Sequence, residues 1–420
     1  MRDCPDLDQV TPPSAAREYD VVLYGATGFT GRQTVAYFSS HAPTGLRWAI
    51  AGRDRGRLER VRQHFGPLAG AVDVLVADSS NQPAVDEIAR RTRVLLTTAG
   101  PFALHGSTLV DACVRFNTHY VDITGEGAWV AQLLARYHDR GAATGTRIIP
   151  GCGFDSVPSD LGAMLVARHV QQALGVPCVA VHGYFRMQGG LNGGTAATAL
   201  HNAATQGKAG RDPARPDNFA PRPQRGAVAL PHHDAAIGAW VGPFVMADIN
   251  TRVVRRSARL FEQWQESYGP RFEYHEFARF TGPLAAAKAW RATVTLGVLG
   301  LMLRWQAGRT LAAKLAPSPG EGPSEVAMNA GWFRAEFVGF TEDGQTVNGL
   351  IAGLGDPGNR STVRMVCESA LALALNEAEL PGFPARGGVL TPATALGDVL
   401  ARRLRSAGIT IRVPDVPAGR

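Results

Sequence analysis

The 420-residue chain is 45% hydrophobic and 19% charged with a formal net charge of +7. These values fit a folded protein of about two domains and exclude collagen-like, disulfide-scaffold and fully disordered classes. The modest positive excess suits an anionic cofactor or an acidic membrane surface, and no finger, basic zipper or aromatic–basic stacking pattern points to nucleic acid.

Residues 1–18, MRDCPDLDQVTPPSAARE, have no apolar core and read as a mobile tail, not a signal peptide. The five cysteines, Cys4, Cys113, Cys152, Cys178 and Cys367, are odd in number and not at metal spacing. A reducing, cytoplasmic compartment is the simplest reading.

Residues 19–172 alternate two patterns. The apolar runs YDVVLYG, LRWAIAG, AVDVLVAD, TRVLLTTAG, THYVDITG and TRIIPG read as six strands. Between them lie amphipathic segments such as RDRGRLERVRQHF, with Leu58, Val61 and Phe65 on one face. Apolar strands alternating with helices predict an α/β fold, a doubly wound Rossmann-type parallel sheet covered on both sides.

The stretch YGATGFTG, residues 24–31, falls where the first strand turns into the first helix. Gly25, Gly28 and Gly31 let backbone approach a pyrophosphate, and the helix start offers free N–H groups. Thr27, Phe29 and Thr30 line the same turn, where Thr27 either contacts phosphate or bonds its own turn. The second strand ends at Gly52 and is followed by Arg53, where an NAD-binding chain usually carries an acid. A guanidinium there suits a 2′-phosphate, so NADP(H) is expected over NAD(H). Asp54 reads as the cap of the next helix. Asp78, ending the third strand, faces the adenine rim or caps the following helix. Gly100, Pro101 and Phe102 end the fourth strand, at a position that favours cofactor contact.

Asp122 and Glu126, after the fifth strand, are either catalytic carboxylates or loop stabilisers. The loop PGCGFDSVPSDLG, residues 150–162, follows the sixth strand and is expected at the nicotinamide end. Its Asp155 is a weak candidate for substrate contact against local capping. Cys152 has no His at motif spacing, and no Tyr-x-x-x-Lys pair suggests short-chain dehydrogenase chemistry.

Residues 173–355 change character, which predicts an inserted α+β substrate domain with an antiparallel sheet. Pro177–Gly194 reads as a long strand ending in glycines, followed by the helix TAATALHNAAT. Tyr184 on that strand is a second weak catalytic candidate, set against a core tyrosine. Gly193–Thr195 could bind an anion or carbonyl, or form a plain turn. Residues 207–234, rich in proline, read as a long loop. Gly331–Phe340 and Thr346–Ala352 read as a hairpin. Ala289–Trp305 contains an uninterrupted uncharged run of twelve residues, Ala292 to Leu303, too short to span a bilayer. It is either a buried helix or a surface helix meeting lipid, with Arg291, Arg304 and Trp305 at the interface. Residues 356–412 carry two helices expected to return to the first domain, the second with Thr391 as cap, Pro392 at its first position and Gly408 as stop. No metal cluster stands out, and a homodimer is one state the sequence permits.

Six motifs taken in order, YGATGFTG, AGR, TTAGPF, HYVDITGE, PGCGFDSVPSDLG and GGVLTPATALGDVL, resemble the saccharopine dehydrogenase-like family, closest to the mycobacterial trans-acting enoyl reductases. The resemblance runs from about Tyr19 to Ile409. It implies an NADP-binding first domain and reduction of a carbon–carbon double bond in a polyketide- or fatty-acyl-derived chain, and it gives more weight to lipid contact through residues 289–305. It supplies no catalytic acid. The alternatives are an imine reductase acting on amino-acid adducts and a non-catalytic, lipid-associated NADP-binding protein.

Overall fold

A computed structural model describes residues 17–65, 72–190, 193, 230–315 and 320–413. Most of the expected N-terminal tail, the TAATALHNAAT helix and residues 207–229 of the expected loop lie outside these residues.

The first sheet is built from β1 (Tyr19–Tyr24), β2 (Trp48–Gly52), β3 (Asp73–Val76), β4 (Thr92–Thr97), β5 (His119–Asp122) and β6 (Arg147–Ile149). A short strand, Gly388–Val389, pairs with β6 at the sheet's edge and completes the order (Gly388–Val389)-β6-β5-β4-β1-β2-β3, with every pair parallel. Only the six earlier strands were legible. The seventh is two residues long and gains its identity from pairing alone.

Helices α1 (Phe29–His41), α2 (Arg55–His64), α3 (Gln82–Arg90), α4 (Phe102–His105), α5 (Ser107–Arg115) and α6 (Gly127–Thr144) connect these strands. Local chemistry starts two of them. Asp54 accepts from the Arg57 N–H at 2.9 Å, and Asn81 caps α3 with Pro83 in its first turn. The central strands are enclosed on both sides, as parallel sheets require: Val22 and Leu95 face one core, Val21 and Leu96 the other.

The second sheet contains β7 (Ala180–Gln188), β8 (His232–Asp234), β9 (Ala239–Pro243), β10 (Glu273–Phe280), β11 (Trp332–Phe340), β12 (Thr346–Leu354) and a last strand, Thr410–Arg412. It is mixed, not antiparallel as expected, because β10 runs parallel to β7 between otherwise antiparallel neighbours. Helix α7 (Val157–Leu174) leads from the first sheet and lies on one face of the second, against β7, β11 and β12. Close packing is permitted by Gly162, whose missing Cβ would lie 2.3 Å from the Phe337 ring.

Next in the chain come α8 (Ala247–Gln263), α9 (Ala285–Arg304), α10 (Gln306–Leu315) and α11 (Glu325–Ala330). The C-terminal helices α12 (Thr362–Leu375) and α13 (Pro392–Ser406) follow. Helix α12 packs on β1, β4 and β5, while α13 bridges α12 and α7. Thr391 accepts from the Thr394 N–H in a capping box, and Pro392 occupies the first helical position.

The apolar segment 289–305 is not buried. Among the residues of α9 only Ala289 is buried; Val294, Val298, Leu301 and the adjoining Trp305 are more than half exposed. Among the described residues no helix is long and apolar enough to cross a membrane.

Candidate functional site

The carboxyl ends of the parallel strands gather the turns that the sequence singles out. At the end of β1, Gly25 has φ +84°, and a Cβ there would lie 3.0 Å from Ala99 at the end of β4. At Gly31 a Cβ would come within 2.1 Å of the Gly25 carbonyl oxygen, so α1 sits directly on the turn. The Gly28 N–H donates to that same carbonyl at 3.0 Å. Gly28 itself has extended backbone, and the nearest atom to its missing Cβ is 3.4 Å away. The protein would therefore accommodate a methyl group at Gly28, and its absence leaves clearance for a ligand. Among the described residues no side chain caps α1, and no acid occupies its first turn, so its N–H groups and dipole are available to an anion. This cradle fits a pyrophosphate.

Around it, Thr30 is buried, while the Thr27 carbonyl accepts from Arg32 at 3.0 Å. Arg32 also donates to the Gly320 carbonyl at 3.3 Å. A Cβ at Gly322 would meet the Phe29 ring at 2.4 Å, so the segment before α11 passes over the turn. The Gly193 N–H donates to the Glu321 carbonyl at 3.0 Å. Thus Gly193 of the second glycine-rich stretch is tied to this segment, while Gly194 and Thr195 lie outside the described residues.

At the end of β2, Arg53 makes no hydrogen bond or salt bridge to the described residues. Arg55 and Arg57 instead meet carboxylates on their own helix turn, Glu59 at 4.0 Å and Asp54 at 3.4 Å. Asp78 accepts from the N–H and hydroxyl of Ser80 at 2.9 and 2.7 Å. These bonds, then the charges of Arg53 and His105, hold its carboxyl below the usual range. Asp78 does not cap α3, since Asn81 takes that role. The free guanidinium of Arg53 fits a 2′-phosphate.

At the end of β4, Glu126 accepts from the N–H groups of Phe102 and Ala103 at 2.7 and 2.9 Å. It holds the Gly100–Pro101 turn in place, the stabilising role of the two weighed. The Phe102 ring turns away from the crevice, buried against Trp129 at 5.9 Å between centroids. Only Gly100 and Pro101 of that turn keep exposed or half-buried surface.

Asp122, at the end of β5, is fully buried and saturated. It accepts from the N–H groups of Thr124 and Gly151, each at 2.9 Å, and from the Tyr120 hydroxyl at 2.8 Å. Burial outweighs these bonds and pushes its carboxyl up to about 7. It is a strut between two strand-end loops.

Asp155 behaves differently. It lies in the loop between β6 and α7, half-buried, with an oxygen 3.6 Å from where a Gly125 Cβ would be. Ile249, in the first turn of α8, meets the same point at 3.3 Å. Asp155 makes no hydrogen bond or salt bridge to the described residues. Desolvation pushes its carboxyl up to about 6.

Tyr184 does not join this group. Its neighbours in β7, Gly183 and Phe185, face Phe337 on the α7 side, so Tyr184 points to the opposite face of the sheet. There it is fully buried, stacked on Phe277, with its hydroxyl donating to Asp234 at 2.9 Å. It is a core tyrosine of the outer face. Among the described residues no group of His, Cys, Asp or Glu suits a metal ion.

One contributor was missed. The turn Gly355–Ser361 ties three parts together. Buried Asp356 accepts from the Arg360 N–H at 3.0 Å, Arg360 donates to Gln33 of α1 at 3.1 Å, and Pro357 packs on Gly189. Thr362 directly after it accepts from the Phe154 N–H at 3.1 Å. In the sequence this stretch carries no reading of its own before the helix from Ser361, because its partners Gln33, Phe154 and Gly189 lie far away along the chain.

The saccharopine dehydrogenase NADP binding domain matches residues 21–149 of this chain. A trans-acting enoyl reductase of Mycobacterium tuberculosis is 37% identical, covering 94% of this chain and 98% of the relative. The trans-acting enoyl reductase of Mycobacterium ulcerans is 36% identical over 95% of this chain and 98% of its own. Among solved structures, saccharopine dehydrogenase (L-Glu forming) from Saccharomyces cerevisiae shares the fold, with a TM-score of 0.50 at 12% identity, covering 94% of this chain and 99% of that chain.

Proposed function

The chain belongs to the saccharopine dehydrogenase-like family, in the branch of the trans-acting enoyl reductases, and on that premise we propose that it is an NADPH-dependent oxidoreductase that saturates a carbon–carbon double bond in a polyketide- or fatty-acyl-derived chain. The observation that carries this reading is similarity from end to end, at 37% identity with 94% of the chain covered. The cofactor half is supported by the geometry of the strand ends. The Gly25–Gly31 turn would hold the pyrophosphate, Arg53 the 2′-phosphate, and Gly100 and Pro101 the nicotinamide end. When bound, the nicotinamide supplies a hydride. The chain's own part is to orient both partners, exclude water, stabilise charge developing on the acyl carbonyl and provide a proton. The test is NADPH oxidation by the purified protein across a panel of enoyl thioesters; no turnover with any of them would overturn the reading for those substrates.

We also infer that α9 and α10 rest on an anionic lipid surface, from which a greasy substrate would be drawn. Residues 285–315 contain no Asp or Glu, while Lys288, Arg291, Arg304, Arg309 and Lys314 are interspersed with exposed Trp290, Val294, Val298, Leu301 and Leu311. Apolar side chains flanked by cations match an interface of acyl chains and anionic headgroups. Co-sedimentation with phosphatidylglycerol vesicles should exceed that with pure phosphatidylcholine and fall when Val294 and Val298 become Ser. If the face is covered by a second copy instead, ultracentrifugation without lipid will show a dimer that the same substitutions dissociate, and vesicles will not bind.

A further inference from the structure

The carboxylates at the strand ends divide sharply by what they bond. Asp122 is met by three donors and Glu126 by two backbone N–H groups. Asp160, in the first turn of α7, accepts from the Ala393 N–H at 2.7 Å and from the Ser257 hydroxyl. Asp356 accepts from Arg360 and Asn359. All four are buried, and their hydrogen-bonding capacity is used to fasten loops. Asp155 alone in this set remains half-buried, with no hydrogen-bond donor among the described residues.

That combination is costly for a carboxyl group with only a structural role. A group drawn from water without a partner loses solvation and gains nothing in return. The surroundings are not charged in a way that explains it. On the β5 loop Asp122 and Glu126 are saturated, and on α8 Arg252 is bound to Asp248 at 2.8 Å. On α7 and on the turn before α12, Asp160, Asp356 and Arg360 are each engaged. None of these charges moves the Asp155 carboxyl, whose rise comes from desolvation alone. Desolvation keeps a carboxyl protonated toward neutral pH, as general acids need.

Position adds the second argument. Asp155 lies after β6, beyond Gly125 at the end of β5 and beside Ile249 of α8. In a doubly wound sheet this half, on the far side of the switch point from the β2 end, receives the nicotinamide. Gly125 has no side chain to cover the carboxylate oxygen, and a Cβ there would also press on Ile249 at 3.3 Å. The Asp155 carboxylate is therefore flanked by an apolar side chain, which suits an acyl chain.

We propose that Asp155 is the catalytic residue that delivers the proton in enoyl reduction. This rests on the enoyl reductase reading. One C–H bond forms at the β-carbon with the hydride of NADPH, and the C=C π pair moves to the α-carbon and thioester carbonyl. A second C–H bond forms at the α-carbon with the Asp155 proton as its O–H bond breaks. The products are the saturated thioester, NADP+ and the Asp155 carboxylate, which regains a proton from water.

The experiment compares wild type, Asp155→Asn and Asp155→Glu with NADPH and crotonyl-CoA or the best thioester of the panel. Asp155→Asn should lower kcat by about 100-fold or more while its NADPH Kd and Tm stay close to wild type. Asp155→Glu should recover part of kcat, and the wild-type fall in kcat above about pH 6 should vanish in Asp155→Asn. Independently of turnover, an infrared carboxyl band titrating near that pH should be present in wild type and missing in Asp155→Asn. If Asp155→Asn keeps kcat within about threefold, or its loss removes no titrating band, the proton-donor role is overturned and the enoyl reading stands. A wild type silent toward every thioester removes that reading, and the donor role falls with it.

Discussion

The turn after β1 and the exposed helix α9 are both glycine-containing, mostly apolar stretches, yet the fold treats them in opposite ways. In the turn, two of the three missing side chains are accounted for by close packing: Ala99 on Gly25 and the Gly25 carbonyl on Gly31. In α9, Gly297 and Gly300 have nothing within 4 Å, and apolar side chains point into solvent. The first region is determined by what the chain itself packs there. The second exposes apolar side chains that the described residues leave uncovered, which is why a lipid surface is proposed for it.

The largest effect expected from this contrast is at Gly31. Gly31→Val forces backbone apart and should cost about 3 kcal/mol or more, read as a drop in Tm, with NADPH binding lost. Gly297→Ala in α9, by contrast, should leave Tm the same or slightly raised.

Asp122 gives the next effect, through pH. Its folded-state pKa is raised by burial from 3.8 to about 7, so the folded protein binds the proton more tightly than the unfolded chain does. Its contribution is fully favourable below about pH 4 and is lost as pH rises through about 7. The difference in unfolding free energy between wild type and Asp122→Asn should therefore change by on the order of 2–4 kcal/mol across that window. Residues 285–315 have no carboxylate to titrate, so vesicle binding should be nearly flat over the same range. A steep dependence there would implicate groups outside the two helices.

Arg53 is a smaller test. Arg53→Ala should weaken NADPH by about 10- to 100-fold, roughly 1.4–2.7 kcal/mol, and leave NADH nearly unchanged in fluorescence titration. Equal losses for both nucleotides would place the 2′-phosphate elsewhere. Gly28→Ala separates clearance from packing. With 3.4 Å of room, Tm should shift by less than about 0.5 kcal/mol equivalent while NADPH Kd rises about tenfold. The smallest stability change belongs to Val294→Ser with Val298→Ser, where exposed side chains should move Tm little while vesicle binding drops.

Much of this site is legible in the sequence. Strand-and-helix alternation places YGATGFTG at the first crossover, and the residue after Gly52 suggests which nucleotide fits. Such features are local in sequence, because a parallel strand, its turn and its helix follow one another. Phe102 and Tyr184 were less legible. Both stand on motifs or strands that point to function, but which way a side chain faces depends on what packs behind it: Trp129 for one, Phe277 and Asp234 for the other.

The sequence by itself determined the parallel sheet, the cofactor turn, the caps at Asp54 and Thr391, and the membership in a family. Those follow from periodicity and short-range sterics. Only the tertiary structure decided that, among the described residues, α9 is left uncovered and Asp155 lacks the donors its neighbours have, that β10 enters the second sheet parallel to β7, and that the Gly355–Ser361 turn locks α1 to the second sheet. Each of these depends on contacts across many tens or hundreds of residues, where no local pattern records which surfaces will meet.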